Sequence, residues 1–283
     1  MIRLEPFWLC TNSLPVQDPF VAIREAAALG FHKIELSAIE GSMEQVRAED
    51  ICEVYTDRIR QALSDYGVSC YALSAHTDLS EEACFARFRK KVEFAGEIGA
   101  KRVHTRCGSV EKKKVILGNV RKALPLLEKY DLQLNLESYG DLVSEAKTAA
   151  VVIEEIDHPL VRYNYDAGNL YRFTDGKLAF AEDLPDGFDV LDCLHLKDVV
   201  KKRGYLYNVP VGTGDVGYEE IFAVLGERFD QIGAGIEVPL SFRVRMRDRK
   251  IQPVEADLGE AREAIQRSVD FLQRMRVIDV SSM

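Results

Sequence analysis

Apolar and polar positions follow two alternating rhythms along the whole chain. Eight short runs are rich in apolar or β-branched residues: EPFWLCT, HKIELSA, VSCYALSAH, KRVHTRC, LQLNLES, VRYNYDAG, LDCLHLK and GAGIEVP. Residues near their centres are Trp8, Glu35, Leu73, Val103, Leu136, Tyr165, Leu194 and Ile236, at intervals of 27 to 42 residues. That is the spacing of one strand–helix unit repeated. Helical patterns fill the gaps. Asp18-Pro19 offers an N-cap and a first-turn proline. Ile51, Val54, Tyr55, Ala62, Leu63 and Tyr66 form an apolar stripe closed by Gly67. Ser80-Glu81-Glu82 predicts a capped helix start ahead of Gly99, and EAREAIQRSVDFLQRM an amphipathic closing helix. TDGKLAFAEDLPDGF has no regular period. Eight parallel strands at such spacing most simply close on themselves, and no GxGxxG follows the first run as an open nucleotide-binding sheet would require. The expected fold is α/β, a single (β/α)8 TIM-barrel domain over residues 1–283, with a C-terminal arm and helix over about 241–276.

Composition narrows the class further. With 283 residues, 47% of them hydrophobic, the chain can build a large core. A net charge of −9 argues against nucleic acid or an anionic membrane as partner. No apolar run reaches the roughly 20 residues that span a bilayer. MIRLEPFWLC lacks the basic start and apolar stretch of a signal sequence. The six cysteines contain no CxxC pair, and Cys10, Cys70, Cys107 and Cys193 sit in apolar runs. Reduced, buried thiols in a cytoplasmic protein are therefore expected.

Strand ends of a TIM barrel converge on one mouth, and the ionisable residues crowd there. Runs five to eight reach Glu137, Asp166, His195 and Glu237 at or near their ends. Any one of the acids suits an ion pair, and His195 alone suits a hydrogen-bonded core position. Together, three carboxylates from adjacent strands would repel one another unless a cation sat between them. Oxygen ligands with one imidazole suit Mn²⁺, Mg²⁺, Co²⁺ or Zn²⁺. His76 and His104 also fall near strand ends, whereas His32 and His158 read as surface residues.

GFHKIELSA, LQLNLES, NYDAGNL, HLKD, PVGTGDVGYEEIF and GIEVP, in that order over nearly the full length, resemble the sugar phosphate isomerase/epimerase group of the xylose isomerase-like TIM barrel superfamily. The resemblance implies one divalent metal ion held by Glu137, Asp166, His195 and Glu237. It also implies that Glu137 and Glu237 are catalytic, shuttling a proton on either side of the substrate carbon. The implied substrate is a small sugar or sugar phosphate, with His76 and His104 at the mouth to bind it, and the implied assembly a homodimer or homotetramer. Many relatives carry a substrate-binding histidine three residues after the aspartate; here that position is Asn169, which donates and accepts but carries no charge. The expected reaction is isomerisation or epimerisation through proton abstraction beside a carbonyl and a metal-stabilised enediolate.

Lys197 either binds a substrate oxygen or pairs with Asp198. SFRVRMRDRK places five basic residues between Arg243 and Lys250. Arg243 is thus a candidate for gripping a substrate phosphate or carboxylate, against the plainer reading of a solvated or dimer-forming arm. The nearest rival activity is a metal-dependent dehydratase of an inosose or dehydroshikimate-like keto-compound, whose first step is the same. The superfamily's abasic-site endonucleases carry an aspartate and a histidine as zinc ligands after strand seven, and VVKKRGYLYNVPVG has neither. A non-catalytic sugar-binding barrel would have no use for a full ligand set.

Overall fold

The computed structural model describes residues 7–275. Eight parallel strands close into a barrel: β1 (Phe7–Cys10), β2 (Lys33–Ser37), β3 (Ser69–Ser74), β4 (Arg102–Arg106), β5 (Gln133–Glu137), β6 (Val161–Asp166), β7 (Leu191–Leu196) and β10 (Gly233–Ile236). Each lies in a run picked out by pattern. Glu5 and Pro6 of the first run, and residues 1–6 and 276–283 of the expected domain, lie outside the described residues. The helices are α1 (Pro19–Ala28), α2 (Glu53–Asp65), α3 (Phe85–Glu97), α4 (Lys113–Tyr130), α5 (Ala146–Ile156), α6 (Ala167–Thr174), α7 (Phe180–Asp183), α8 (Tyr218–Leu225) and α9 (Leu258–Arg274). No helix among the described residues is long and apolar enough to cross a membrane.

Strand alternation sets what faces the barrel axis. In β5, Leu134 and Leu136 join the apolar shell under the helices, so Asn135 and Glu137 point inward. In β7, Leu194 and Leu196 pack outward while Cys193 and His195 turn to the axis. A histidine inside an apolar run is the consequence. The barrel closes where β10 pairs with β1. The fully buried Trp8 fills the interior there, and a Cβ added at Gly233 would stand 2.3 Å from its ring.

Asp18 caps α1 as expected, accepting from Phe20 N at 2.8 Å. Two helix details differ from the pattern. Ser80 does not cap α3, which starts at Phe85 after a short 3-10 turn. Ile51 and Leu63 of the expected stripe are buried and Tyr55 and Ala62 pack against the core, but Val54 and Tyr66 are exposed, and α2 also buries Thr56 and Ile59.

The larger difference lies above the barrel. The segment read as the loop after strand seven is a hairpin, β8 (Asp198–Lys202) and β9 (Tyr205–Val209), and the basic arm is a second one, β11 (Phe242–Arg245) and β12 (Lys250–Pro253). They join in one antiparallel sheet in the order β12-β11-β9-β8. Arg203 and Gly204 make the first turn, both with positive φ (51° and 78°), as a two-residue hairpin turn requires.

Candidate active site

The pocket lies between the carboxyl ends of the barrel strands and this added sheet. Its floor carries Asn12, His76, Glu137, Asn169, Lys197 and Glu237; its roof is apolar, from Leu206, Phe242, Val244 and Ile251. His195 and Asp166 lie buried directly behind the floor.

Glu137 and Glu237 are arranged alike. Asn169 Nδ2 donates to Glu137 Oε1 at 2.7 Å, and Asn12 Nδ2 to Glu237 Oε1 at 2.8 Å. The other oxygen of each, Oε2, turns to His195 Nδ1, at 3.4 Å and 3.1 Å respectively. Glu137 Oε2 also faces His76 Nε2 at 3.1 Å. Burial pushes the Glu137 carboxyl up, but the His76 and His195 rings more than offset it and leave it well below the usual range. At Glu237 burial likewise raises, and Lys197 and His195 together bring the net value down.

Lys197 Nζ bridges Asp166 Oδ2 and Glu237 Oε1, 2.8 Å from each. Burial pulls the ammonium down, and these two carboxylates more than restore it, so Lys197 stays charged. Asp166 has the opposite balance: burial lifts its carboxyl to about 7 against the pull of Lys197. The alternative pairing of Lys197 with Asp198 does not form. Asp198 instead accepts from the backbone N–H groups of Val199, Gly212, Gly214 and Val216, which ties down the glycine-containing loop.

Behind His195 lies a second polar group that the sequence reading missed. Glu35 Oε2 accepts from Trp8 Nε1 at 2.9 Å and lies 3.0 Å from His195 Nε2 and 3.1 Å from His104 Nδ1. Burial raises the Glu35 carboxyl, and His104 and His195 bring it well below its ordinary value. The signal was available, because Glu35 is an acid inside the apolar run HKIELSA, as Glu137 is inside LQLNLES.

The chemistry of the donor set fits a divalent cation. A Glu35 acceptor at Nε2 leaves His195 Nδ1 as the ligand atom, the usual carboxylate–histidine–metal arrangement. His195 Nδ1 and Glu137 Oε2 are both buried, and although His76 Nε2 and Glu237 Oε2 approach them, neither atom makes a well-aligned hydrogen bond among the described residues, an expensive state unless something else binds them. Ligand atoms of Glu137, Asp166 and His195 lie within 4.8 Å of one another. This buried His/Glu/Asp cluster could hold a metal.

The other candidates separate. His76, Asn169 and Lys197 line the pocket; His104 does not, because it sits below His195 with its Nε2 turned to Cys193 Sγ at 3.7 Å. Arg243 also points elsewhere. Its neighbours Phe242 and Val244 face the pocket, so alternation turns Arg243 to the far side, where it donates to Tyr207 Oη at 3.0 Å and stacks on Tyr205.

Three comparisons bear on this arrangement. A protein of Salmonella typhimurium LT2 containing a xylose isomerase domain superposes with a TM-score of 0.71 at 17% identity, covering 96% of this chain and 99% of its own. D-psicose 3-epimerase of Clostridium cellulolyticum H10, solved with D-tagatose, gives 0.69 at 12%, covering 96% and 98%. The probable 3-DHS dehydratase AsbF of Bacillus anthracis gives 0.63 at 19%, covering 82% and 92%. At such identities the likeness is one of fold. No curated protein matches by sequence. The family model described as xylose isomerase-like TIM barrel matches residues 23–275, and on that match, across most of the chain, the protein belongs to the xylose isomerase-like TIM barrel family.

Proposed function

We propose that this protein is a divalent-metal-dependent sugar or sugar phosphate isomerase/epimerase acting by proton transfer beside a carbonyl. The observation that carries this reading is the pairing of Glu137 and Glu237. Each has one oxygen anchored by an asparagine and the other aimed at the same imidazole nitrogen. Two ionised carboxylates that converge on one point of a pocket from different strands suit one group that removes a proton and one that returns it. Return to the opposite face epimerises; return to the neighbouring carbon isomerises. Glu137, Asp166, His195 and Glu237 would hold the metal, which supplies charge stabilisation for substrate oxygens next to the reacting carbon. Lys197 contributes a fixed positive charge at the floor, and Asn169 and Asn12 fix the orientation of the two glutamates. The apolar roof excludes water from the exchanging proton.

The structural neighbours D-psicose 3-epimerase and a D-tagatose 3-epimerase-like protein support this reading, as does the family. The dehydratase among them keeps a second reading open. Incubation with Mn²⁺ or Co²⁺ and ketoses in D₂O, followed by proton NMR, is the test. Loss of the α-proton signal without new ultraviolet absorbance is expected. A conjugated enone band would identify a dehydratase instead, and no exchange with any ketose or keto-acid would end the proton-transfer reading.

A further inference from the structure

Two guanidinium groups line the same pocket without an acidic partner among the described residues: Arg106 and Arg172. Arg172 is 8% exposed. Its Nη1 donates weakly to Tyr139 Oη at 3.5 Å, its Nη2 donates to Arg249 O, and its Nε is buried with no partner. Arg106 is half-buried, and its described contact is with the Tyr139 ring, 5.4 Å from the centroid. Arg172 lies against that ring as well, at 5.5 Å.

Two features make this pair unusual. Arg106 sits in register with Glu137 on the neighbouring strand, so a carboxylate is at hand. The guanidinium leaves it and lies on the Tyr139 ring instead, while Glu137 accepts from Asn169 and has the His76 ring beside it. Further, the chain has 46 acidic against 37 basic side chains, yet two like charges share one aromatic ring beside a cavity. Like charges so placed repel, and a buried guanidinium with an idle N–H is costly. An anion bound in the pocket beside them would offset the repulsion and give the guanidinium N–H groups an acceptor, and the planar fork of arginine matches the oxygens of phosphate or carboxylate.

We infer that Arg106 and Arg172, which share the Tyr139 ring at the wall of the pocket, form an oxyanion subsite, and that the substrate is an anionic ketose carrying a phosphate or a carboxylate. The inference rests on the sugar-converting reading of this pocket and narrows it to a substrate class. It also moves the anion-binding role from Arg243, on the far face of the added sheet, to residues of β4 and α6.

A matched series tests it: D-fructose, D-fructose 6-phosphate and D-fructuronate, which differ only in the group at carbon six. Calorimetric titration into the purified protein should show at least one of the anionic sugars binding about tenfold or more tighter than fructose. Arg172→Met and Arg106→Met should each shrink that gap about tenfold. Arg106, the less buried, keeps the test readable where loss of Arg172 costs the fold. Preference for the phosphate or for the carboxylate identifies the source of the anion. Equal or absent binding of both anionic sugars, or a gap that neither substitution changes, overturns the subsite. Anion-selective binding without α-proton exchange would leave the subsite standing and remove the proposed reaction. Exchange on fructose as efficient as on the anionic sugars would do the reverse.

Discussion

His104 and His195 are both fully buried, lie 3.1 Å apart, and both stand within hydrogen-bond distance of Glu35 Oε2. They part at the second ring nitrogen. His104 turns it to a buried thiol, Cys193 Sγ, whereas His195 turns it to the free oxygens of Glu137 and Glu237. Residue type, burial and the shared acid are the same; what differs is whether the outward nitrogen has a carboxylate cup to complete. A histidine at a strand end is therefore a ligand candidate only through what its outward nitrogen meets. The lower layer braces, and the upper layer is left with atoms to offer.

The largest effect that would sharpen this contrast comes from the cup itself. Glu237→Gln or Glu137→Gln keeps shape and removes the proton-accepting oxygen charge. Each should lower α-proton exchange by about 10²- to 10⁴-fold, with the circular dichroism spectrum unchanged. A variant retaining more than a tenth of the wild-type rate would remove that glutamate from the chemistry.

A smaller effect separates the two histidines directly. His195→Asn should abolish stoichiometric Mn²⁺ binding in dialysed protein, measured by elemental analysis. Glu35→Gln acts one bond further away, through the proton on His195 Nε2, and should weaken binding by about 10- to 100-fold. His104→Asn should weaken it less than either. If His104→Asn cost as much metal as His195→Asn, the lower layer would be part of the ligand set rather than its support.

Much of this was legible in the chain. Eight strands announced themselves because each carries an outward-packing apolar alternation, as in Leu134 and Leu136. The strand-end residues Glu137, Asp166, His195 and Glu237 were legible because they interrupt that alternation on the inward side. Asn169 and Lys197 stood beside them in DAGN and HLKD. What was not legible depends on side chains meeting across the barrel. Glu35 looked like a strand centre because only its neighbours Trp8, His104 and His195 give it a role. The added sheet was hidden because VVKK and YLYNV are short and half polar, and pairing with β11 is long-range. Arg243 drew attention by lying in a basic cluster, while Arg106 and Arg172 stand out only once the fold sets both against the Tyr139 ring at the pocket.

The smallest predicted effect uses an acid outside the cup as a control. Asp183, at the end of α7, accepts from Ala146 N at 3.1 Å and from Tyr165 Oη at 3.1 Å. No lysine, arginine or histidine pairs with it among the described residues. Burial pushes its carboxyl up to about 6, and those two hydrogen bonds hold it back only in part. The folded protein therefore keeps a proton that the unfolded chain, with a value near 3.8, gives up first. Stability contributed this way is present at low pH and is lost as pH rises from about 4 to about 6. Since Asp183 is partly open to solvent, screening limits the loss to about 1 kcal/mol. Urea unfolding at pH 4, 5 and 6 should show that slope added to the same-signed one from Asp166, whose carboxyl burial lifts to about 7, and Asp183→Asn should remove only its own share. Glu137, held low by two imidazoles, should contribute with the opposite sign: its stabilisation is lost as pH falls below the ordinary carboxylate range. A slope that survives Asp183→Asn unchanged would mean that the Asp183 carboxyl does not titrate in this window.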